Sequence, residues 1–141
     1  KPEIPHEIAK AAAEFAQKNP ELKLEPDWLN GGPPDLAELL PKDWELKLQP
    51  AYQGKALDLK SLGRMDLVRT KLKAFCERFP ADLDDMKGLK PTAQELAESS
   101  KWVKTLDQAP DWSEYVDDQV QMLKLELGLP LEQQKTRGRE R

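Results

Sequence analysis

The chain has 141 residues, of which 38% are hydrophobic and 34% charged, with a formal net charge of −4 and a pI of about 5.2. This length suits one domain with a core of useful size. The acidic balance argues against a protein whose whole surface binds nucleic acid, since such proteins are normally basic, while a local basic groove stays compatible with it.

The rarest residue types exclude further classes of site. Cys76 is the only cysteine, so no internal disulfide can form, and a reducing cytoplasm is the expected compartment. His6 is the only histidine, and one histidine far from one cysteine gives no zinc-site pattern. No apolar run approaches the roughly 18 residues of a membrane span, so no membrane is expected among the partners.

The first half of the chain predicts a helix followed by a two-stranded ribbon. Apolar residues at helical spacing predict a helix from Pro5 to Asn19, and a short one at 36–40. Alternation predicts a strand at 44–49 and a second one at 56–59. The Gly-Gly pair at 31–32 could cradle a phosphate, but the two prolines that follow remove backbone donors, so a plain turn is favoured.

Four helices are predicted in the second half, over residues 61–79, 81–89, 92–106 and 111–127. Ser61 is the expected N-cap of the first. Thr92 and Glu95 have the spacing of a capping box, and Gly128 with Pro130 two residues later gives a clear stop.

The predicted fold is therefore α+β and mostly helical, with about six helices packed around a short two-stranded antiparallel ribbon. Residues 1–130 are expected to form a single domain, followed by a polar, basic tail at 131–141, for which a frayed end is favoured over a nucleic-acid-binding arm. Two strands are too few to be stable alone, so the ribbon is expected to be the remainder of a larger sheet. An exposed edge of this kind favours association, and a homodimer would fit it.

A row of three cations lies along the long helix. At about 100° per residue, Arg64, Lys71 and Arg78 fall on one line inside the apolar arc of the helix. Unpaired buried cations are costly, so the row needs carboxylates, a phosphate ligand or a wet groove. Asp82 and Asp85 follow on the next helix. Two interpretations stay open: structural ion pairs that join the two helices, or the anion-binding wall of a site.

Four short stretches of the chain add a family resemblance. They are DWLN at 27–30, LPKDW at 40–44, LGRMDLVRTKLKAFCER at 62–78 and DLDDM at 82–86. In this order they resemble the second half of bacterial minimal nucleotidyltransferases of the AbiEii-like branch, many of them encoded in toxin–antitoxin or phage-defence operons. The most specific marks of the resemblance are Asp66, Lys71, Arg78, Asp82 and Asp85.

This resemblance implies a protein that transfers a nucleotide from an NTP–Mg²⁺ complex to an RNA or protein acceptor. Phosphoryl transfer of this kind needs positive charge on the phosphates and carboxylates on the metal. The candidates for nucleotide or phosphate binding are Arg64, Lys71 and Arg78. The carboxylates that would brace them are Asp66, Asp82 and Asp85.

The chain departs from the family pattern at the metal-binding half of the site. Neither a Gly-Gly-Ser-like helix start nor an Asp-x-Asp strand precedes the helix at Pro5. Because the chain also begins at Lys1 rather than Met, we expect it to be the C-terminal portion of a longer protein and inactive alone. Mg²⁺ and NTP are then cofactors of the full-length protein only, and no catalytic or metal-binding residue is assigned here.

A second class of function is also consistent with the sequence. The chain could be a non-catalytic helical module, such as an antitoxin or adaptor, whose grooves bind a partner protein encoded in the same operon.

Overall fold

The structure of the chain, a computed structural model, is mostly helical. Within the described part of the chain it contains six α-helices and one two-stranded antiparallel sheet. This confirms the predicted α+β, mostly helical fold class; that the ribbon is the remainder of a larger sheet stays a prediction. The structure describes residues 4–26, 28–29, 36–55, 57–78 and 82–131. The predictions for the Gly-Gly turn and for the tail beyond residue 131 lie outside these ranges.

The chain forms two compact units, residues 1–63 and 64–141. The first unit contains α1 (His6–Lys18), α2 (Leu36–Leu39), β1 (Gln49–Gln53) and β2 (Asp58–Ser61). The second contains α3 (Arg64–Arg78), α4 (Leu83–Leu89), α5 (Ala93–Lys104) and α6 (Trp112–Leu127). The single domain predicted over residues 1–130 stays a prediction.

Three aromatic side chains fasten the ribbon to α1 in the first unit. Phe15 on α1 lies edge-on to Tyr52 of β1, with ring centroids 4.7 Å apart, and its ring centroid is 5.4 Å from that of Trp28. The Trp28 indole N–H donates a 3.1 Å hydrogen bond to the Ala12 carbonyl. Aromatic pairs of this kind contribute about 0.5–1.5 kcal/mol beyond the area that they bury. The first predicted helix is confirmed as α1, and β1 of the ribbon packs on it through Phe15 and Tyr52.

The strand predicted over residues 44–49 is wrong over most of its length. Trp44–Lys47 form a 3₁₀ helix instead, in which the Leu46 N–H donates a 3.0 Å bond to the Asp43 carbonyl. An ion pair of 3.3 Å between Lys47 and Asp43 spans the same turn. Leu46, one of the residues that the alternation placed inward, is 88% exposed and buries almost nothing. Local turn bonds decide the conformation here.

The ribbon itself is present, but it lies a few residues further along the chain. β1 and β2 pair antiparallel, and the second strand occupies residues 58–61 rather than 56–59. The Gly54 N–H closes the connecting turn with a 2.7 Å bond to the Leu57 carbonyl. All five residues of β1 are exposed. Pairing with a second copy through this ribbon stays a prediction.

Ser61 is not the N-cap of the long helix. It is the last residue of β2, where it pairs with Gln49, and α3 begins only at Arg64. The extended backbone that an N-cap requires is thus used at Ser61 for strand pairing. A residue favoured at caps is a weak signal where a strand competes for it.

Helices α3 to α6 of the second unit enclose one hydrophobic core. α3 packs mainly on α5, which also packs on α6, while α4 contacts both α3 and α6. Helical spacing predicts Leu96, Ser99, Val103 and Leu106 as inward positions of α5. The first three are fully buried, whereas Leu106 lies beyond the end of the helix and is only half-buried. The core cluster consists of Leu72, Phe75, Cys76, Met86, Leu96, Val103, Val116, Val120 and Leu123.

The predicted end signals of α5 and α6 are confirmed. The Thr92 hydroxyl accepts a 3.1 Å bond from the Glu95 N–H, and the Glu95 carboxylate accepts a 2.9 Å bond from the Thr92 N–H. Gly128 follows α6 with a φ of 73°, the left-handed conformation that glycine adopts at low cost.

Cys76 has a structural place in this core. Burial, with a smaller contribution from the neighbouring Glu77 charge, raises the pKa of its thiol to about 12. The Tyr115 hydroxyl donates a 2.6 Å bond to the Cys76 carbonyl and so links α6 to α3. A thiol that stays protonated at neutral pH is a poor nucleophile and a poor metal ligand.

Candidate functional site

The candidate site is the cation row of α3, which consists of Arg64, Lys71 and Arg78. The side chains are 45%, 37% and 65% exposed, respectively. The buried side chains of α3 are others, among them Leu72 and Phe75. The row therefore reaches solvent, and each cation ends beside a carboxylate.

Two of these carboxylates are supplied by the segment around α4. The Lys71 ammonium lies 2.8 Å from Asp85 in the first turn of α4, which joins α3 to α4. The Arg78 guanidinium lies 3.0 Å from Asp82, which is only 4% exposed and precedes α4. The structure thus brings together four of the residues singled out by the sequence, as two ion pairs. This geometry supports the interpretation as structural ion pairs.

The third cation is bound by a residue that the sequence reasoning missed. Arg64 donates two bonds to Glu95 of α5, of 2.9 and 3.0 Å, and a third of 3.2 Å to the Lys90 carbonyl. The hydrogen bonds from Arg64 and then from the Thr92 backbone lower the pKa of Glu95 to about 2, and the same pair raises the pKa of Arg64. The Glu95 carboxylate therefore has two roles: it caps α5, and it joins α5 to α3. Only its capping role had a sequence signal.

Asp66 lies apart from the cation row. Its side chain is fully buried and accepts a 2.8 Å bond from Arg69, which is 16% exposed. Sequence reasoning placed Asp66 among the bracing carboxylates and did not consider Arg69. The spacing of three residues on one helix is the signal that could have found this pair. Asp66 also lies in the first turn of α3, where a negative charge is favoured.

The cation row as it stands carries little free positive charge. Each of its cations lies within 3.0 Å of a carboxylate, so the attraction for a further anion is offset by negative charge at the same place. Where both partners are exposed, as in Lys71–Asp85, such a pair is typically worth about 0–1 kcal/mol and defines geometry more than stability.

A second feature of this unit is an open groove where α4, α5 and α6 meet, here called the α5–α6 groove. It has a volume of about 510 Å³ and a largely apolar lining. Its lining residues are Lys87, Lys90, Pro91, Thr92, Ala93, Glu126, Leu127 and Leu129. A volume of this size is typical of pockets that bind ligand-sized groups.

The rim of the α5–α6 groove is charged. Lys87 and Glu126 face each other at 3.7 Å, and both side chains are nearly half exposed. Lys90 lines the groove as well and has no carboxylate within ion-pair distance among the described residues. The rim therefore carries one cation more than it carries carboxylates. No sequence pattern indicates this groove, because residues of three separate helices form it.

Among the described residues, no group of three His, Cys, Asp or Glu side chains could hold a metal ion. In the same ranges, none of the helices has both the length and the apolar composition needed to cross a bilayer. Comparison of the chain with protein-family models, with curated proteins and with solved structures finds no match.

Proposed function

We propose that the chain is a non-catalytic helical interaction module, of the kind found in antitoxins and adaptors. The observation that carries this proposal is the α5–α6 groove, an apolar concavity of about 510 Å³ on the helical unit. The cation row also supports this proposal, because its charges are engaged in ion pairs that hold helices together.

The occupant that fits the groove is a short apolar segment of a partner protein with acidic residues at its edges. Leu127 and Leu129 offer apolar contact in the groove. Both also pack against the core cluster, which holds these side chains in place. The surplus cation of the rim favours acidic neighbours and disfavours basic ones. Two residues beyond the groove, Leu131 is 47% exposed and would extend the apolar surface.

Selection of binders from a random peptide library tests this proposal. We expect the selected peptides to combine leucine or aromatic residues with aspartate or glutamate. Ala93→Glu places a carboxylate in the groove at the first turn of α5, where a negative charge suits the helix, so folding is preserved while acidic peptides are repelled. Binding of the selected peptides should fall at least tenfold, which would be about 1.4 kcal/mol.

The matched control is Ala97→Glu, on the same helix one turn further along and outside the groove lining. Ala97 is exposed, as Ala93 is, so both variants change surface charge equally. Equal losses of binding in the two variants, or peptides without acidic residues, would contradict the proposed groove.

The nucleotidyltransferase-like interpretation also stays a proposal, and one observation favours it. Lys71 is 37% exposed and its partner Asp85 is 52% exposed, so this ion pair is open to solvent and a polyphosphate could replace the Asp85 carboxylate at small cost. In this case the cation row would be the phosphate-side wall of a site completed by another part of a longer protein. Asp85 would then be free to brace Mg²⁺, whereas the buried Asp82 would keep its ion pair with Arg78.

Thermal unfolding of the full-length protein with ATP, with and without Mg²⁺, tests this second proposal. Ligand binding raises the melting temperature by mass action, and Lys71→Ala should remove most of that rise. The control is Lys73→Ala, because Lys73 is also on α3 and also paired, at 3.0 Å to Glu77. A rise in melting temperature that survives Lys71→Ala would remove the main residue of the nucleotidyltransferase interpretation.

A further inference from the structure

We propose that the first unit contains a binding site for a small anion carried on an aromatic ring. The site is a cavity of about 540 Å³ between α1 and the turn of the ribbon, here called the α1–ribbon pocket. Its lining includes Glu14, Phe15, Lys18, Tyr52, Gly54 and Lys55. The proposal is independent of the function proposed for the second unit.

The floor of the pocket is aromatic and held in place. The edge-on contact of Phe15 and Tyr52, at 4.7 Å, fixes both rings, and Trp28 supports Phe15 from another side. A flat ring of a ligand can stack on such a surface without new ordering of the protein, which lowers the entropic cost of binding.

The lack of a side chain at Gly54 leaves room for the Tyr52 ring. A Cβ at residue 54 would lie 2.7 Å from Cε2 and from the hydroxyl oxygen of Tyr52, closer than real contacts allow. The ring therefore lies directly across the turn, and the absence of a side chain at Gly54 is what permits it. Any larger residue at this position would displace one wall of the pocket.

Two lysines supply positive charge from different elements. Lys18 lies in the last turn of α1, where a cation also suits the helix C-terminus. Lys55 lies in the turn after β1 and not at a helix C-terminus, so a helix dipole does not explain its positive charge there. Within the described residues neither lysine has a carboxylate at ion-pair distance, in contrast to the cation row of α3. These charges are therefore available to a ligand.

Glu14 limits the negative charge of the ligand and favours a hydrogen-bond donor on it. It lines the same pocket and brings one negative charge against the two lysines. A ligand of high negative charge would be repelled by it, whereas a hydroxyl or amino group on the ligand could donate to it. The chemical class is thus an aromatic anion of low charge that also carries a hydrogen-bond donor.

Isothermal titration of the whole chain with four probes tests this site. The probes are 4-hydroxyphenyl phosphate, 4-hydroxybenzoate, phenol and inorganic phosphate. At least one of the first two should bind, while phenol, which has no anion, and inorganic phosphate, which has no ring, should bind at least tenfold more weakly. Which aromatic anion binds more tightly identifies the source of the anion as a phosphate or a carboxylate.

Lysine variants locate the binding. Lys18→Ala and Lys55→Ala should each weaken binding about tenfold. Lys10→Ala and Lys60→Ala are the controls, since these exposed lysines lie on α1 and β2 but do not line the pocket, and they should leave binding within twofold of the wild type. The proposal is overturned if neither aromatic anion binds, or if inorganic phosphate binds as tightly as the aromatic anions do. It is also overturned if the control variants lose as much affinity as the pocket variants.

Discussion

Asp66→Ala is expected to destabilise the 64–141 unit by about 3 kcal/mol, the largest loss among its charged residues. The Asp66 side chain is fully buried, and its 2.8 Å bond to Arg69 neutralises a guanidinium that is 16% exposed. Removing the carboxylate leaves a cation in a poorly solvated place, which costs more than the ion pair itself contributes. The measurement is the free energy of unfolding in urea at pH 7.

The control for this result is Asp85→Ala. It removes the same side chain from a pair of equal length, 2.8 Å to Lys71, whose partners are 52% and 37% exposed. Its expected cost is below about 1 kcal/mol, because exposed ion pairs contribute little. The double variant Asp66→Ala with Arg69→Met should recover at least half of the loss, since it removes the stranded cation. An equal cost for Asp66→Ala and Asp85→Ala would contradict the assigned role of burial.

Glu95→Gln is expected to cost about 2 kcal/mol at neutral pH and progressively less in acid. The pKa of Glu95 is lowered from 4.5 to about 2, mainly by the hydrogen bond from Arg64, so the folded state favours the ionised carboxylate. This stabilisation is complete above about pH 4.5 and is lost as the pH falls through about 2. One pKa unit corresponds to about 1.4 kcal/mol, and the expected cost lies below the value for the full pKa shift because Arg64 is 45% exposed and solvent screens the pair.

The measurement is the free energy of unfolding of wild type and variant from pH 7 down to pH 2. The difference between them should shrink across that acid range, because protonation of Glu95 in the wild type mimics the substitution. Glu98→Gln is the control at pH 7: it lies one turn further along α5, and its ion pair with Lys101 is long at 3.6 Å and exposed. A wild type–variant difference that is constant from pH 7 to pH 2 would contradict the lowered pKa.

Features encoded within a few neighbouring residues were predictable from the sequence. The capping box at Thr92 and the glycine stop at Gly128 were both confirmed, because each is fixed by local backbone geometry. The inward face of α5 was predictable from its 3.6-residue period. Asp82 and Asp85 were singled out as carboxylates of the helix after α3, and the structure pairs both with cations of α3, although Asp82 lies just before α4 rather than on it.

Features that depend on distant parts of the chain were not predictable. The Arg64–Glu95 pair joins residues 31 positions apart, and the α1–ribbon pocket joins α1 to a turn near residue 54. The strand predicted at 44–49 failed for the opposite reason: its alternation was real, but a local ion pair and turn bonds favoured a 3₁₀ helix. Phosphate binding by the cation row stays a prediction.

The buried state of Cys76 makes the folded chain a convenient background for chemical labelling. Its thiol is 2% exposed and its pKa is raised to about 12, so maleimides and other thiol reagents should leave it untouched while the bundle is closed. Since the sequence contains no other cysteine, one engineered surface cysteine would carry a fluorophore or spin label at a single defined position.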